Sequence, residues 1–483
     1  VGTGTAAQSV AELHARMGAQ LDRLVTPAVR PIQAQLDARI GGVAVPAAQI
    51  DEVRVALTTS LDDPRHGRPI DARLAGKLEV ARVRASGTTV SNATLTTDTR
   101  VRGVDTTGHE PLPAMASVQA TLDVPAFALA APSKLASSAR VDTTLSFTRA
   151  GQQLVVERLR AQLGGAVDAT LRGRVGQLLG ATPQLDLTLA VAPLDLAQPV
   201  VAQLVGEPFT GSGRVRFDAD VRGRWTGVDD LLAKLDTPPL LSSATLTLDD
   251  VSAHLPARAL TLERARGTLA LTLSSTAAGT QGTLAIGSAT QGAQVLRGLS
   301  SAWTIGLFDG VWKAQLALDA AALGDTKRSV EAAEVDVDVV HVPFGEVLVR
   351  SFVLRAPGAG VEAQVDGRLA RGRYGAVVPE LDARASLDFD RLKSVFGSAV
   401  PEALVVLTGK LGFELGAHAH HADEVELSGA LTLEHLGWRG NGTILRDASG
   451  RVPFSQRLRI ELPDERLLGG RAGAVSALAE SGL

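Results

Sequence analysis

From about residue 50 onward the chain alternates apolar and polar residues one by one, and this period of two constrains its fold more than any other feature. Leu185, Leu187, Leu189 and Val191 alternate with Asp186, Thr188 and Ala190. Val215, Phe217, Ala219 and Val221 alternate with Arg216, Asp218, Asp220 and Arg222. The pattern returns at Ala244, Leu246 and Leu248, at Leu269, Leu271 and Leu273, at Val335, Val337 and Val339, at Val361, Ala363 and Val365, and at Val425, Leu427, Leu431 and Leu433. Successive side chains of a strand point to opposite faces, so each segment is expected to be a strand with one apolar and one polar face. Glycine-containing breaks separate the segments, at Gly164–Gly165, Gly358–Gly360 and Asn441–Gly442, the last a strong hairpin-turn pair. The expected fold is all-β and mainly antiparallel, with a few short helices near 193–205, 228–235 and 390–400.

The N-terminal stretch reads differently. Val10, Leu13, Met17, Leu21, Leu24, Ala28, Ile32 and Leu36 recur at three- and four-residue steps, which predicts an amphipathic helix over 7–40. Pro27 and Pro31 are expected to kink or divide it, and Gly41–Gly42 to end it.

The chain also repeats itself. At an offset of 194, residues 151–175 align without gaps on 345–369, with Gly151/Gly345, Leu154/Leu348, Val155/Val349, Gly164/Gly358, Val167/Val361, Ala169/Ala363, Gly173/Gly367 and Arg174/Arg368 identical. At an offset of 196 the match continues through Pro183/Pro379, Leu185/Leu381, Asp186/Asp382, Leu196/Leu392, Gly213/Gly409 and Phe217/Phe413. The preserved order is strand, Gly turn, strand, Pro, strand, short helix, Gly, strand. The organisation expected from this is a helical segment over 1–45, a first β unit over 46–240, a second over 241–433, and a C-terminal hairpin and tail over 434–483.

Composition excludes several classes of function. The 48 basic and 52 acidic residues leave a net charge of −4, so no basic excess points to nucleic acid or an anionic membrane surface. There is no cysteine, hence no disulfide, thiolate metal site or cysteine nucleophile; this fits export to an oxidising space, and equally a compositional bias. No run of 18 apolar residues occurs, and aromatics at 3% are too few for the girdles of an outer-membrane barrel. His418, His420 and His421, followed by Asp423 and Glu424, form the one histidine cluster; it reads as a solvated loop or strand end rather than a metal site. The acid pairs Asp62–Asp63 and Asp249–Asp250 read as solvated turn or strand-end positions. Neither Gly76–Lys77 nor Gly409–Lys410 has the upstream glycine of a phosphate-binding loop, and no serine is flanked as in a nucleophile elbow. No cofactor, metal or catalytic residue is expected, and the chain is read as non-enzymatic.

Residues 154–173, LVVERLRAQLGGAVDATLRG, resemble the recurring unit of bacterial AsmA-like proteins, in which a strand ends in a Gly pair and the next strand ends in Gly. The likeness continues through Pro183 to Leu189, Leu194 to Leu204, Gly211, Gly213 and the strand Val215 to Val221 that closes with Gly223, and it returns from Leu348 to Leu415. It is best over 150–225 and 345–433. The resemblance implies the repeating β-groove of TamB and related bridge-like lipid transfer proteins, an elongated, strongly bent sheet forming an open apolar groove. It further implies a periplasmic location, phospholipid as cargo, and a part in outer-membrane lipid homeostasis or assembly beside other envelope proteins. Membrane association would run through a segment outside these 483 residues.

Alternation describes a β-sandwich array equally well, since two apolar faces can cover each other. In the groove reading the apolar face stays open, and the residues expected to line it are Leu185, Leu187, Leu189, Val215, Phe217, Val221, Val361, Val365, Leu411 and Phe413. Ala219 and Ala363 would leave room for an acyl chain, which gains roughly 0.8 kcal/mol per buried CH₂. Two further functions stay open: a secreted or surface structural or adhesive β protein, and a tubular lipid carrier whose sheet wraps the helix of 7–40.

Overall fold

The computed structural model describes residues 9–20, 32–45, 48–61, 70–85, 87–104, 113–129, 136–225, 240–274, 277–325, 329–341, 346–371, 377–396, 406–421, 424–440 and 443–459. The chain divides into two units, Val1–Gly292 and Ala293–Leu483. The first unit holds strands β1 (Ser9–Gln20), β2 (Ile32–Val45), β3 (Ala48–Leu61), β4 (Ile70–Ala85), β5 (Thr88–Val104), β6 (Met115–Leu129), β7 (Ala136–Thr148), β8 (Gln153–Leu163), β9 (Val167–Gly176), β10 (Gln184–Asp195), β11 (Thr210–Arg224), β12 (Leu240–Leu255), β13 (Leu260–Leu273) and β14 (Ala277–Gln291). Helix α1 (Pro199–Val205) lies between β10 and β11. The second unit holds β15 (Gln294–Phe308), β16 (Val311–Asp325), β17 (Ser329–His341), β18 (Val347–Ala356), β19 (Val361–Arg371), β20 (Val377–Asp388), β21 (Leu407–His421), β22 (Glu424–Gly440) and β23 (Thr443–Arg459). Its helix α2 (Phe389–Phe396) precedes β21.

Within each unit every strand pairs antiparallel with the next in sequence, from β1 to β14 and from β15 to β23. The fold is all-β, the antiparallel sheet of neither unit closes into a barrel among the described residues, and its helices are short. The expected hairpin pair Asn441–Gly442 lies outside the described residues, but Gly440 and Thr443 on either side pair with each other. The helix expected over 193–205 forms only from Pro199, because Pro193 to Asp195 still belong to β10. The one expected over 228–235 lies outside the described residues.

The N-terminal reading is corrected. Where a helix was expected, β1 and β2 are strands, with Leu36 opposite both Met17 and Leu57. A four-residue step is also two steps of two, so Ile32 and Leu36 share a strand face as readily as a helix face. The intervening positions decide it: Ala34, Ala38 and Ile40 alternate with Gln33, Gln35, Asp37 and Arg39, and the neighbouring strand supplies the pairing. Residues 21–31, including Pro27 and Pro31, lie outside the described residues.

The internal repeat is a structural one. The order β8, β9, β10, α1, β11 recurs as β18, β19, β20, α2, β21, with one copy in each unit. Each copy carries the same bend. Gly213 on β11 has φ +90°, and Asp250 on β12 and Arg264 on β13 also have positive φ, at 51° and 52°. Gly409 on β21 (φ +85°), His435 on β22 and Asp447 on β23 repeat the arrangement, the last two with φ 51° and 56°. Asp250, Arg264, His435 and Asp447 each mark a bulge, where an extra residue bends the strand and raises its twist, and Gly213 and Gly409 are the single residues that face the bulges of β12 and β22. The bulges stand on consecutive strands, so each unit bends along a line. Only glycine fits at 213 and 409, since a Cβ would come within 2.3 Å of the Asp250 carbonyl oxygen or 2.2 Å of the His435 carbonyl oxygen.

Gly165 offers a control, having φ +69° with no atom within 4 Å of the place a Cβ would take. Gly165→Ala is expected to cost only the left-handed penalty, about 1–2 kcal/mol. Gly213→Ala must add a backbone displacement at the bend and is expected to cost clearly more, read as urea midpoints of the two variants against the parent. Equal losses would contradict the bend line.

Candidate functional site

The candidate site is the apolar face itself. Because register is kept from strand to strand, single rows of side chains run across many strands. One row passes through Val55, Leu78, Leu95, Leu122, Val141, Ala161, Ala169, Val191, Phe217, Leu246 and Leu269 on β3 to β13. At about 4.8 Å between strands its contour is about 48 Å. The row beside it, from Leu36 to Leu271, is interrupted by Thr97 and Thr143 and is low at Ala219 and Ala244. In the second unit a row runs through Trp303, Leu316, Val337, Phe352, Val365, Ala383, Leu415, Gly429 and Phe454.

All ten residues expected to line a groove stand on these faces. Leu185, Leu187, Leu189, Val215, Phe217 and Val221 share the face of β10 and β11, with Leu187 opposite Val221 and Val191 opposite Phe217. Val361, Val365, Leu411 and Phe413 share the face of β19 to β21, with Leu387 of β20 between Val361 and Leu411. The first six and the last four belong to different units. Ala363, expected to leave room for a chain, stands opposite Leu354 and Ala385.

No second sheet covers the face within either unit among the described residues, so the sandwich expectation is not met there. Leu271 is 50% exposed, Ile305 47% and Val452 54%, all on the apolar side. The aromatic side chains partly shelter one another: Phe454 reaches over Gly429 to stack on Phe413, with ring centroids 6.1 Å apart.

The helices supply what deep burial there is beside the face. Val200 and Val201 of α1 are buried with Ala166 and pack against Phe127, Leu129, Leu163, Leu194, Leu196 and Phe209, closing one margin of the face over β6 to β11. Phe389 of α2 is 2% exposed, and the Asp388 carboxylate accepts the amides of Asp390 and Arg391 to cap that helix. Helix α2 and the segment that leads into α1 are each tied to the bend beside them. The Gly409 amide donates to Asp390 Oδ2 at 2.9 Å, and the Leu196 amide donates to the Gly213 carbonyl at 3.0 Å. The Gly409 hydrogen bond, first among the causes, holds the Asp390 carboxyl below its usual range. Sequence reading placed these helices but missed their role as marginal covers; the signal was the uncharged, valine-rich run Pro199–Val205.

The opposite face is a ladder of ion pairs. Arg73 binds Asp98 at 2.6 Å, Arg174 and Arg222 share Asp186 at 3.1 and 3.4 Å, and Arg368 binds Glu380 at 2.6 Å. Hydrogen bonds from Arg73, Arg140, Arg160 and Arg368 hold Asp98, Asp142, Asp168 and Glu380 below the ordinary carboxylate range. Such exposed pairs each contribute only about 0–1 kcal/mol, but together they keep this face in water. His418 stands 3.6 Å from Asp382 in this ladder, while the side chains of His420 and His421 lie outside the described residues. Among the described residues no three His, Asp or Glu side chains converge as metal ligands. Among them, too, no helix is long and apolar enough to cross a membrane.

No family model, curated protein or solved structure matches the chain.

If the face is open, the two phenylalanines beside α2 must differ. Phe389→Ala empties a buried position and is expected to cost about 3–5 kcal/mol. Phe413 is 36% exposed, and Phe413→Ala is expected to cost no more than about 1.5 kcal/mol. Equal costs in chemical denaturation would mean that something covers Phe413.

Proposed function

We propose that this chain is a non-catalytic lipid-binding and transfer protein that holds acyl chains against the apolar face of its sheet. The observation that carries the reading is the uninterrupted row from Val55 to Leu269, apolar at every strand and, among the described residues, lacking a second layer within its unit. A soluble monomer rarely leaves so long an apolar surface bare, and a bound hydrocarbon chain removes the cost of its contact with water. Burying each methylene gains roughly 0.8 kcal/mol without a polar partner, so the face needs no charged clamp. Low positions at Ala219, Ala244, Ala363 and Ala385 give a chain room to lie between larger side chains. A row without a closed end suits sliding of the ligand along the sheet more than capture at one point.

The resemblance to AsmA-like and TamB-like groove proteins supports the same reading. With it come the proposed setting, a bacterial periplasm, and the proposed task of supporting outer-membrane lipid homeostasis or assembly with phospholipid as ligand. Other envelope proteins would be the partners at either end of the path.

The test is native mass spectrometry with lipid extraction on protein purified without detergent. Phospholipid should copurify with the parent chain and be lost from the double variant Leu187→Asp, Phe217→Asp, whose far-ultraviolet circular dichroism stays that of the parent. A lipid-free parent that binds no phospholipid from vesicles would overturn the proposal.

A further inference from the structure

We propose that the polar face of the first unit carries an anion site, a basin of about 670 Å³ over β5 to β8 that takes a phosphate-bearing group. It lies on the side of the sheet away from the acyl-chain face and does not rest on the lipid reading. Gln119, Arg140, Thr144, Arg158, Arg160 and Gln162 are among the side chains that line it.

Strand register builds the site. Asp142 stands opposite Arg160 and Thr144 opposite Arg158 on β7 and β8. On the other side of β8, pairing passes from Val156–Gly173 to Leu159–Leu171, so that Glu157 and Arg158 together oppose the single residue Arg172. Such a bulge re-aims a side chain, and here it brings Arg158 to the basin wall together with Arg160.

The charges around the basin are satisfied unequally. Asp98 is bound by Arg73 at 2.6 Å and lies 3.7 Å from Arg100, both outside the lining. Asp142 accepts from Arg140 at 3.0 Å and from Thr121 at 2.9 Å. Arg160 forks onto Asp168, whose carboxylate also accepts from Gln162 at 3.2 Å. Arg158 makes no hydrogen bond or ion pair with a carboxylate among the described residues, and it acts on Asp142 and Asp168 only through space. Its guanidinium therefore lies in a basin where the other two guanidiniums are already held in place and the carboxylates already occupied.

An arginine fork with amide and hydroxyl donors around it matches the several oxygens of a phosphate group better than a single-point anion. The basin is open to water, which suits reversible binding. The phosphate could belong to a soluble phosphorylated molecule or to a lipid headgroup, and the chemistry of recognition is shared.

The experiment is calorimetric titration of the full chain with inorganic pyrophosphate, paired with cosedimentation on phosphatidylcholine vesicles with and without phosphatidylglycerol. Loss of one charge-assisted hydrogen bond corresponds to about ten- to hundredfold weaker binding, which is the effect expected for Arg158→Gln. Arg222→Gln, which removes a guanidinium outside the basin, should leave binding unchanged, and both variants should keep the parent melting temperature. Pyrophosphate binding with this pattern supports a soluble phosphorylated ligand. Binding seen only on phosphatidylglycerol vesicles with the same pattern supports a headgroup. No binding to either probe, or equal binding by the parent and Arg158→Gln, overturns the site.

Discussion

Register is the constraint on which the rest of the structure depends. Side chains on a strand alternate with a period of two, so a slip of one residue would turn an apolar row onto the polar face and carry arginines and aspartates with it. The rows from Val55 to Leu269 and from Trp303 to Phe454 survive strand after strand because hydrogen-bond pairing and side-chain pattern agree at each step. Bulges threaten that agreement, since each inserts a residue and turns over every side chain beyond it. The chain meets the threat by placing bulges on adjacent strands, at Asp250 and Arg264 and again at His435 and Asp447, with Gly213 and Gly409 facing the first of each pair. The flip is thereby shared, the faces stay sorted, and the sheet bends.

This sorting also explains how a chain with few buried side chains keeps a defined fold. Its apolar face is sheltered by neighbouring strands and, at one margin, by α1 packing Val200 and Val201 onto Ala166. The polar face is organised by ion pairs such as Arg73–Asp98 and Arg368–Glu380, whose carboxyls are held ionised by their guanidinium partners. A few fixed points are added by Phe389, buried at the start of α2, and by the His435–Asp447 hydrogen bond that braces the second bend. An arrangement of this kind suits a long surface repeated along a sheet better than a single deep pocket.

Much of this was legible in the sequence, and the reason is local. From β3 onward the larger aliphatics fall on one face and charged residues on the other, so strands such as Gln184–Asp195 and Thr210–Arg224 announce both their conformation and their sidedness. The repeat was legible because Gly173/Gly367 and Gly213/Gly409 sit where backbone approach leaves no room for a Cβ. The N-terminal strands were misread because alternate positions along them are rich in alanine, which marks a face weakly, while Leu13, Met17 and Leu36 stand at spacings common to helix and strand. The left-handed residues Asp250 and His435 carry no signal, since neither is glycine and their conformation comes from the strands beside them. Nor could alternation tell an open face from a covered one; that depends on what packs above the strand rather than on the strand itself.

The most direct test of the open, lipid-facing sheet is face-specific photo-crosslinking in cells. A benzophenone side chain would be placed in turn at Phe217 and Phe413 on the apolar face, and at Arg216 and Glu414 on the polar face, and the adducts read by mass spectrometry. The account predicts acyl-lipid adducts at Phe217 and Phe413 and none at Arg216 or Glu414. Protein adducts alone at Phe217 and Phe413, or equal lipid labelling of both faces, would contradict it.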